Sequence, residues 1–83
     1  MNLQAPQTVL LTQLGVGQRA RVLGFQSESP YNTQLQRLGV IAGTEFEVIR
    51  KAPLGDPIEI RLRGYSLALR PREATAVLIQ AID

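Results

Sequence analysis

The chain contains no cysteine and no histidine. Without cysteine there is no disulfide framework, no thiolate nucleophile and no sulfur-ligated metal, and a reducing compartment fits the composition. Without histidine, a transition-metal site would have to be built from carboxylates alone. Aromatic residues are scarce: Phe25, Tyr31, Phe46 and Tyr65 are the full set. No apolar run approaches the roughly 18 residues of a membrane span, and Met1 to Thr8 lacks the basic start and apolar core of a signal peptide. Direct membrane insertion is therefore not expected, and the cytoplasm is the expected location. No glycine-rich phosphate loop is present, and no base accompanies Ser27, Ser29 or Thr33. These absences predict no catalytic residue, no cofactor site and no enzyme. A large excess of one charge is missing too, because eight arginines and one lysine face seven acids for a net charge of +2. The pI near 9.7 reflects arginine chemistry, and the excess is too small to imply nucleic acid.

What is present fits one small domain. In 83 residues there is room for one hydrophobic core, and 45% hydrophobic residues place the chain well above the disordered regime. Residues 1–8, with Pro6 and several amides, show no periodicity and predict a flexible N-terminal tail; the domain is expected over 9–83. Gly15-Val16-Gly17 predicts a tight turn into a first strand at Gln18 to Phe25, and the imperfect alternation of Ala20, Val22, Leu23 and Phe25 predicts a bulge near Gly24. Ser29 before Pro30 reads as a helix start, because the hydroxyl caps free N–H groups and proline at the first helical position loses no hydrogen bond. Tyr31, Leu35 and Leu38 then share a face, and Gly39 ends the helix.

From Thr44 the apolar period becomes two. Phe46 and Val48 are expected inside with Glu45 and Glu47 outside, then Ile58, Ile60 and Leu62 inside against Glu59, Arg61 and Arg63. Arg63-Gly64 forms a candidate two-residue hairpin turn, after which Tyr65, Leu67 and Leu69 resume the inward series. Pro71 to Ala74 reads as one helical turn and Ala76 to Ile82 as a final strand buried on both faces. The fold predicted is mainly β: a small, partly closed antiparallel barrel of about five strands with one short helix inserted after the first. A split ferredoxin-like sandwich would need a second long helix, for which the segment after Arg70 is too short.

Read together, LQRLGVIAGTEFEVIRKAPLGDPIEIRLRGYSLALRPREA followed by AVLIQAI resembles the FeoA family of small cytoplasmic accessory proteins of bacterial ferrous-iron uptake. The resemblance covers nearly everything after the tail. It rests on the ordered set Leu38-Gly39, Gly43, Pro53-Leu54-Gly55-Asp56-Pro57, Arg63-Gly64, and Leu69-Arg70 before Glu73-Ala74. The family usually has proline where this chain has Ala42, which alters the stiffness of that turn. The resemblance implies an SH3-like barrel and a partner, the membrane ferrous-iron transporter FeoB, which carries a cytoplasmic G-protein domain. It implies an accessory that binds the cytoplasmic region of FeoB and modulates its assembly or activity; self-association stays open.

An iron-carrying role does not follow from the residues. Glu45 and Glu47 share a strand face and could chelate only weakly, so a solvated outer face is the better reading and no metal site is expected. Arg37, Arg50, Arg61, Arg63, Arg70 and Arg72 are candidates for a guanidinium offered to a partner GTPase, against ordinary surface charge for each. The alternative function is a small nucleic-acid-binding SH3-like barrel, with Arg61, Arg63, Arg70 and Arg72 as a basic patch. Against it, the phenylalanines suit a core better than a stacking surface, and no nucleic acid is expected. Two protein-interaction surfaces are singled out. The loop Pro53, Leu54, Gly55, Asp56 and Pro57 is stiffened by two prolines, and Leu54 is either an inward leucine or an exposed anchor. The second is a groove between helix and barrel rimmed by Tyr31, Gln34 and Leu38, whose apolar residues also suit a core.

Overall fold

The computed structural model describes residues 8–82, so the expected tail lies outside the described residues apart from an exposed Thr8. Five strands, β1 (Arg19–Phe25), β2 (Glu45–Lys51), β3 (Ile58–Leu62), β4 (Tyr65–Leu69) and β5 (Val77–Ile82), and one helix, α1 (Pro30–Arg37), follow the expected order. A single turn of 3-10 helix at Leu11–Gln13 precedes them. Only Leu11 of it is buried, and three residues are too few for a periodic signal.

All strand pairs are antiparallel, in the order β4-β3-β2-β1-β5. Because Val22, Val48, Ile60, Leu69 and Ile79, one from each strand, are buried in one cluster, the sheet curls around its own inner face. The bulge expected near Gly24 is there: Val22 pairs with Ile79 and Gly24 with Leu78, leaving Leu23 as the extra residue. A second bulge, at Ile49 between Val48 and Arg50, bends β2.

The helix starts and stops for the reasons its sequence gives. Ser29 is extended, its hydroxyl accepts from the Asn32 amide at 3.0 Å, and Pro30 occupies the first helical position. At the other end Gly39, at φ +105°, turns the chain so that its N–H donates to Gln36 and the Val40 N–H donates to Leu35. That motif packs Val40 with Leu35 in the core. Leu38, expected on the same face, is therefore left 39% exposed at the helix end.

Tyr65 keeps the inward register and still reaches solvent. It is 40% exposed, and its hydroxyl lies across the backbone of Gly39, where a Cβ would stand 2.5 Å from it. Between β3 and β4 the expected two-residue turn forms, with Leu62 facing Tyr65 and both Arg63 (φ 51°) and Gly64 (φ 86°) left-handed. Pro71 to Glu73 makes a turn closed by the Ala74 amide on Arg70 at 2.9 Å, and it does not continue as helix.

Candidate functional site

The loop between β2 and β3 is held by its own backbone. The Gly55 amide donates to Ala52 at 2.8 Å, the Ala52 amide donates to Pro57 at 3.0 Å, and Gly55 takes φ +84°. The Asp56–Pro57 peptide is cis. Pro53, Asp56 and Pro57 are exposed and Gly55 is partly buried. Leu54 stands at the tip, 97% exposed. Of the two readings of Leu54, the inward leucine is thereby excluded. A fully exposed leucine on a loop with internal hydrogen bonds loses little further freedom when a partner covers it.

The helix side does not bring its three expected residues to one rim. Gln34 and Leu38 line a broad depression of about 750 Å³ that runs along α1 from Glu28 past Pro30 and Thr33. Tyr31 does not line that depression: it is half-buried against the core, and its hydroxyl accepts a hydrogen bond from the Arg70 amide at 3.2 Å. Its hydroxyl thus ties the helix to the end of β4.

The outer face of the sheet carries a ladder of opposite charges. Arg19 faces Glu47 and Glu47 faces Arg61 across β1, β2 and β3, while Arg21 faces Glu45. Glu45 accepts from Arg19 at 2.7 Å and from Arg21 at 2.9 Å, so the carboxylate weighed as a weak iron ligand is occupied by two guanidinium groups. The hydrogen bond from Arg21, aided by the charge of Arg19, holds the Glu45 carboxyl below its ordinary value. Among the described residues no three of His, Cys, Asp and Glu gather as a metal-holding group. No helix among them is long and apolar enough to cross a membrane.

Of the six arginines considered above, Arg50 pairs with Glu59 at 3.7 Å, whereas Arg37, Arg61, Arg63, Arg70 and Arg72 make no ion pair among the described residues. Arg70 and Arg72 share a shallow depression with Asp56 and Glu73, which makes that patch mixed in sign. Phe46 is buried and Phe25 packs against the core, so neither offers a stacking surface.

Sequence reasoning missed Asn32. It is 2% exposed, and its Nδ2 donates to the Ser27 carbonyl at 2.9 Å, tying the helix start to the preceding turn. Its Oδ1 is buried without a partner. A polar residue in the first turn of a helix normally faces water, so the pattern carries no signal for its burial.

Comparison with known proteins bears on what these surfaces serve. The family model for the FeoA domain matches residues 9–81. An FeoA-like protein from Clostridium acetobutylicum is 35% identical and superposes with a TM-score of 0.83, covering 95% of this chain and 92% of that one. The zinc-complexed FeoA of Stenotrophomonas maltophilia, a prokaryotic SH3 domain protein, is 27% identical with a TM-score of 0.69, covering 84% of this chain and 87% of that one. An Fe(2+) transport protein A/Fe(2+) transporter FeoB fusion protein of Porphyromonas gingivalis is 25% identical over 73 residues. That match covers 88% of this chain and only 9% of the fusion protein.

Proposed function

The chain belongs to the FeoA family, and from that premise we propose that it is a cytoplasmic accessory of ferrous-iron uptake that binds the cytoplasmic region of the transporter FeoB and adjusts its assembly or activity. The observation that carries this reading is the fusion protein, in which a relative of this chain and FeoB form one polypeptide. Covalent linkage keeps two modules at high effective concentration, which favours the union of domains that work in contact. The surface of this chain suits such a role. Leu54 projects from a self-bonded loop as an apolar anchor.

The test is capture of the purified chain by membranes carrying FeoB, repeated with immobilised RNA and DNA. Retention by the transporter and not by nucleic acid is expected. Retention by nucleic acid alone overturns the reading.

A further inference from the structure

The two edges of the sheet are finished differently. At the β5 edge an incoming segment is paired on, because Val9 bridges Ile79 and its amide donates to the Ile79 carbonyl at 2.9 Å. At the β4 edge no segment among the described residues is paired. In a two-residue hairpin the residues flanking the turn exchange hydrogen bonds, and the pairs then alternate. Leu62 with Tyr65, Ile60 with Leu67 and Ile58 with Leu69 are therefore the bonded pairs, and the backbone groups of Ser66, Ala68 and Arg70 point away from β3. The alternation is confirmed at its far end, where the outward N–H of Arg70 is taken by the Tyr31 hydroxyl. Ser66 and Ala68 have no such partner among the described residues. Their side chains are small and exposed, and β4 contains no proline, no charged residue and no register shift. Those are the devices by which edges are commonly blocked.

Charge indicates what the edge accepts. Arg63 and Arg70 stand just beyond its two ends, and Arg61 faces Ser66 on the neighbouring strand. Asp56 and Glu73 lie near Arg70, and Glu59, opposite Ala68, is engaged by Arg50. The balance around the edge remains positive. A second copy pairing antiparallel through β4 would set the Arg63 end of each strand beside the Arg70 end of the other, so like charges oppose self-pairing.

We propose that β4 captures an extended acidic polypeptide segment of a partner protein as a sixth strand, bonded to the outward backbone groups of Ser66 and Ala68 and flanked by Arg63 and Arg70. Backbone pairing supplies the attachment and the flanking arginines supply the selectivity. This surface meets the Leu54 loop only where Asp56 lies near Arg70, and the proposal does not depend on which protein Leu54 meets.

The probe is a synthetic peptide of alternating valine and threonine with glutamates at each end, titrated into the labelled full chain by NMR. The Ser66 and Ala68 amide signals should shift saturably and their exchange with solvent should slow. A lysine-ended twin should bind at least about tenfold more weakly, and rising salt should reduce the difference. Ala68→Pro removes one outward N–H without touching the β3 ladder, so it should fold and lose about tenfold in affinity. If that variant fails to fold, Arg63→Glu with Arg70→Glu serves instead and should reverse the preference between the two peptides. No shift at Ser66 and Ala68, shifts confined to α1 or to residues 53–57, or equal binding of both peptides overturns the proposal. So does dimerisation through these same amides without peptide, which would make a second copy the occupant.

Discussion

Two turns bracket β3, and they obey different constraints. Arg63-Gly64 is as short as a hairpin allows, and both residues adopt left-handed backbone because that twist matches the strands on either side. Its job is to keep Leu62 opposite Tyr65, and arginine tolerates a strained position there to do it. The Pro53–Pro57 loop joins β2 to β3 with more chain than reversal requires, closes on itself through two backbone hydrogen bonds, and exposes a leucine that the core does not use. Local geometry explains the first turn completely. The second has a surplus that geometry leaves over, and the docking role proposed above would account for it.

Substitutions can break or sharpen this contrast. The largest effect belongs to neither turn but to the strand between them: Ile60 is 1% exposed, and Ile60→Asp would bury an unpaired charge in a domain with roughly 4 to 12 kcal/mol of stability. Loss of the folded near-ultraviolet circular dichroism signal at room temperature is expected, and a cooperative native-like melt would show that the strand faces the other way. Next is Gly64→Val. Open space surrounds this position, so the cost is that of a β-branched side chain on left-handed backbone, about 1–3 kcal/mol in a urea titration. A loss below a few tenths of a kcal/mol would mean the turn relaxes easily and contradict its strict role.

The loop should behave in the opposite sense. Leu54→Arg is expected to move stability by less than about 0.5 kcal/mol, since the side chain touches almost nothing. Affinity for the cytoplasmic region of FeoB should nevertheless fall at least about tenfold, because an apolar anchor is lost and a guanidinium must be desolvated in its place. Unchanged affinity in the folded variant would rule out the loop as the docking element.

The smallest effect lies on the outer face. Folding lowers the Glu45 pKa, so its contribution is present at pH values above the unfolded value and disappears as pH falls through the lower folded one. Glu45→Gln should therefore slightly reduce the melting temperature at neutral pH and leave it unchanged in strong acid. The exposure of all three partners keeps this effect minor, and a gap that persists below the folded value would point to packing and not charge.

Much of this architecture was readable in the chain, and the failures have a common cause. Ser29-Pro30 and Gly39 fixed the helix because capping and left-handed backbone are local requirements met by few residue types. The alternation Ile58, Ile60, Leu62 fixed the register because a slip would expose every one of them. Periodicity says which way a side chain points but not how far the covering layer reaches. Tyr65 and Leu38 are on the expected faces and still reach solvent, one passing over Gly39 and the other displaced from the core by Val40. Leu54 sits in a loop with no period, so no alternation in the chain signals its exposure. The tie of Tyr31 to Arg70 and the bulge at Ile49 are set by contacts between elements distant in sequence.

The bridge from Val9 to Ile79 also decides how the domain responds to force. Because the two segments run antiparallel at that point, Thr8 and Ile82 lie on the same side of the seam. Tension applied through these two ends pulls along the direction of the hydrogen bonds and loads them one after another, as a zipper opens, instead of straining the whole row at once. In an optical trap the domain should open at low force from this seam, with the β3–β4 hairpin the last element to come apart.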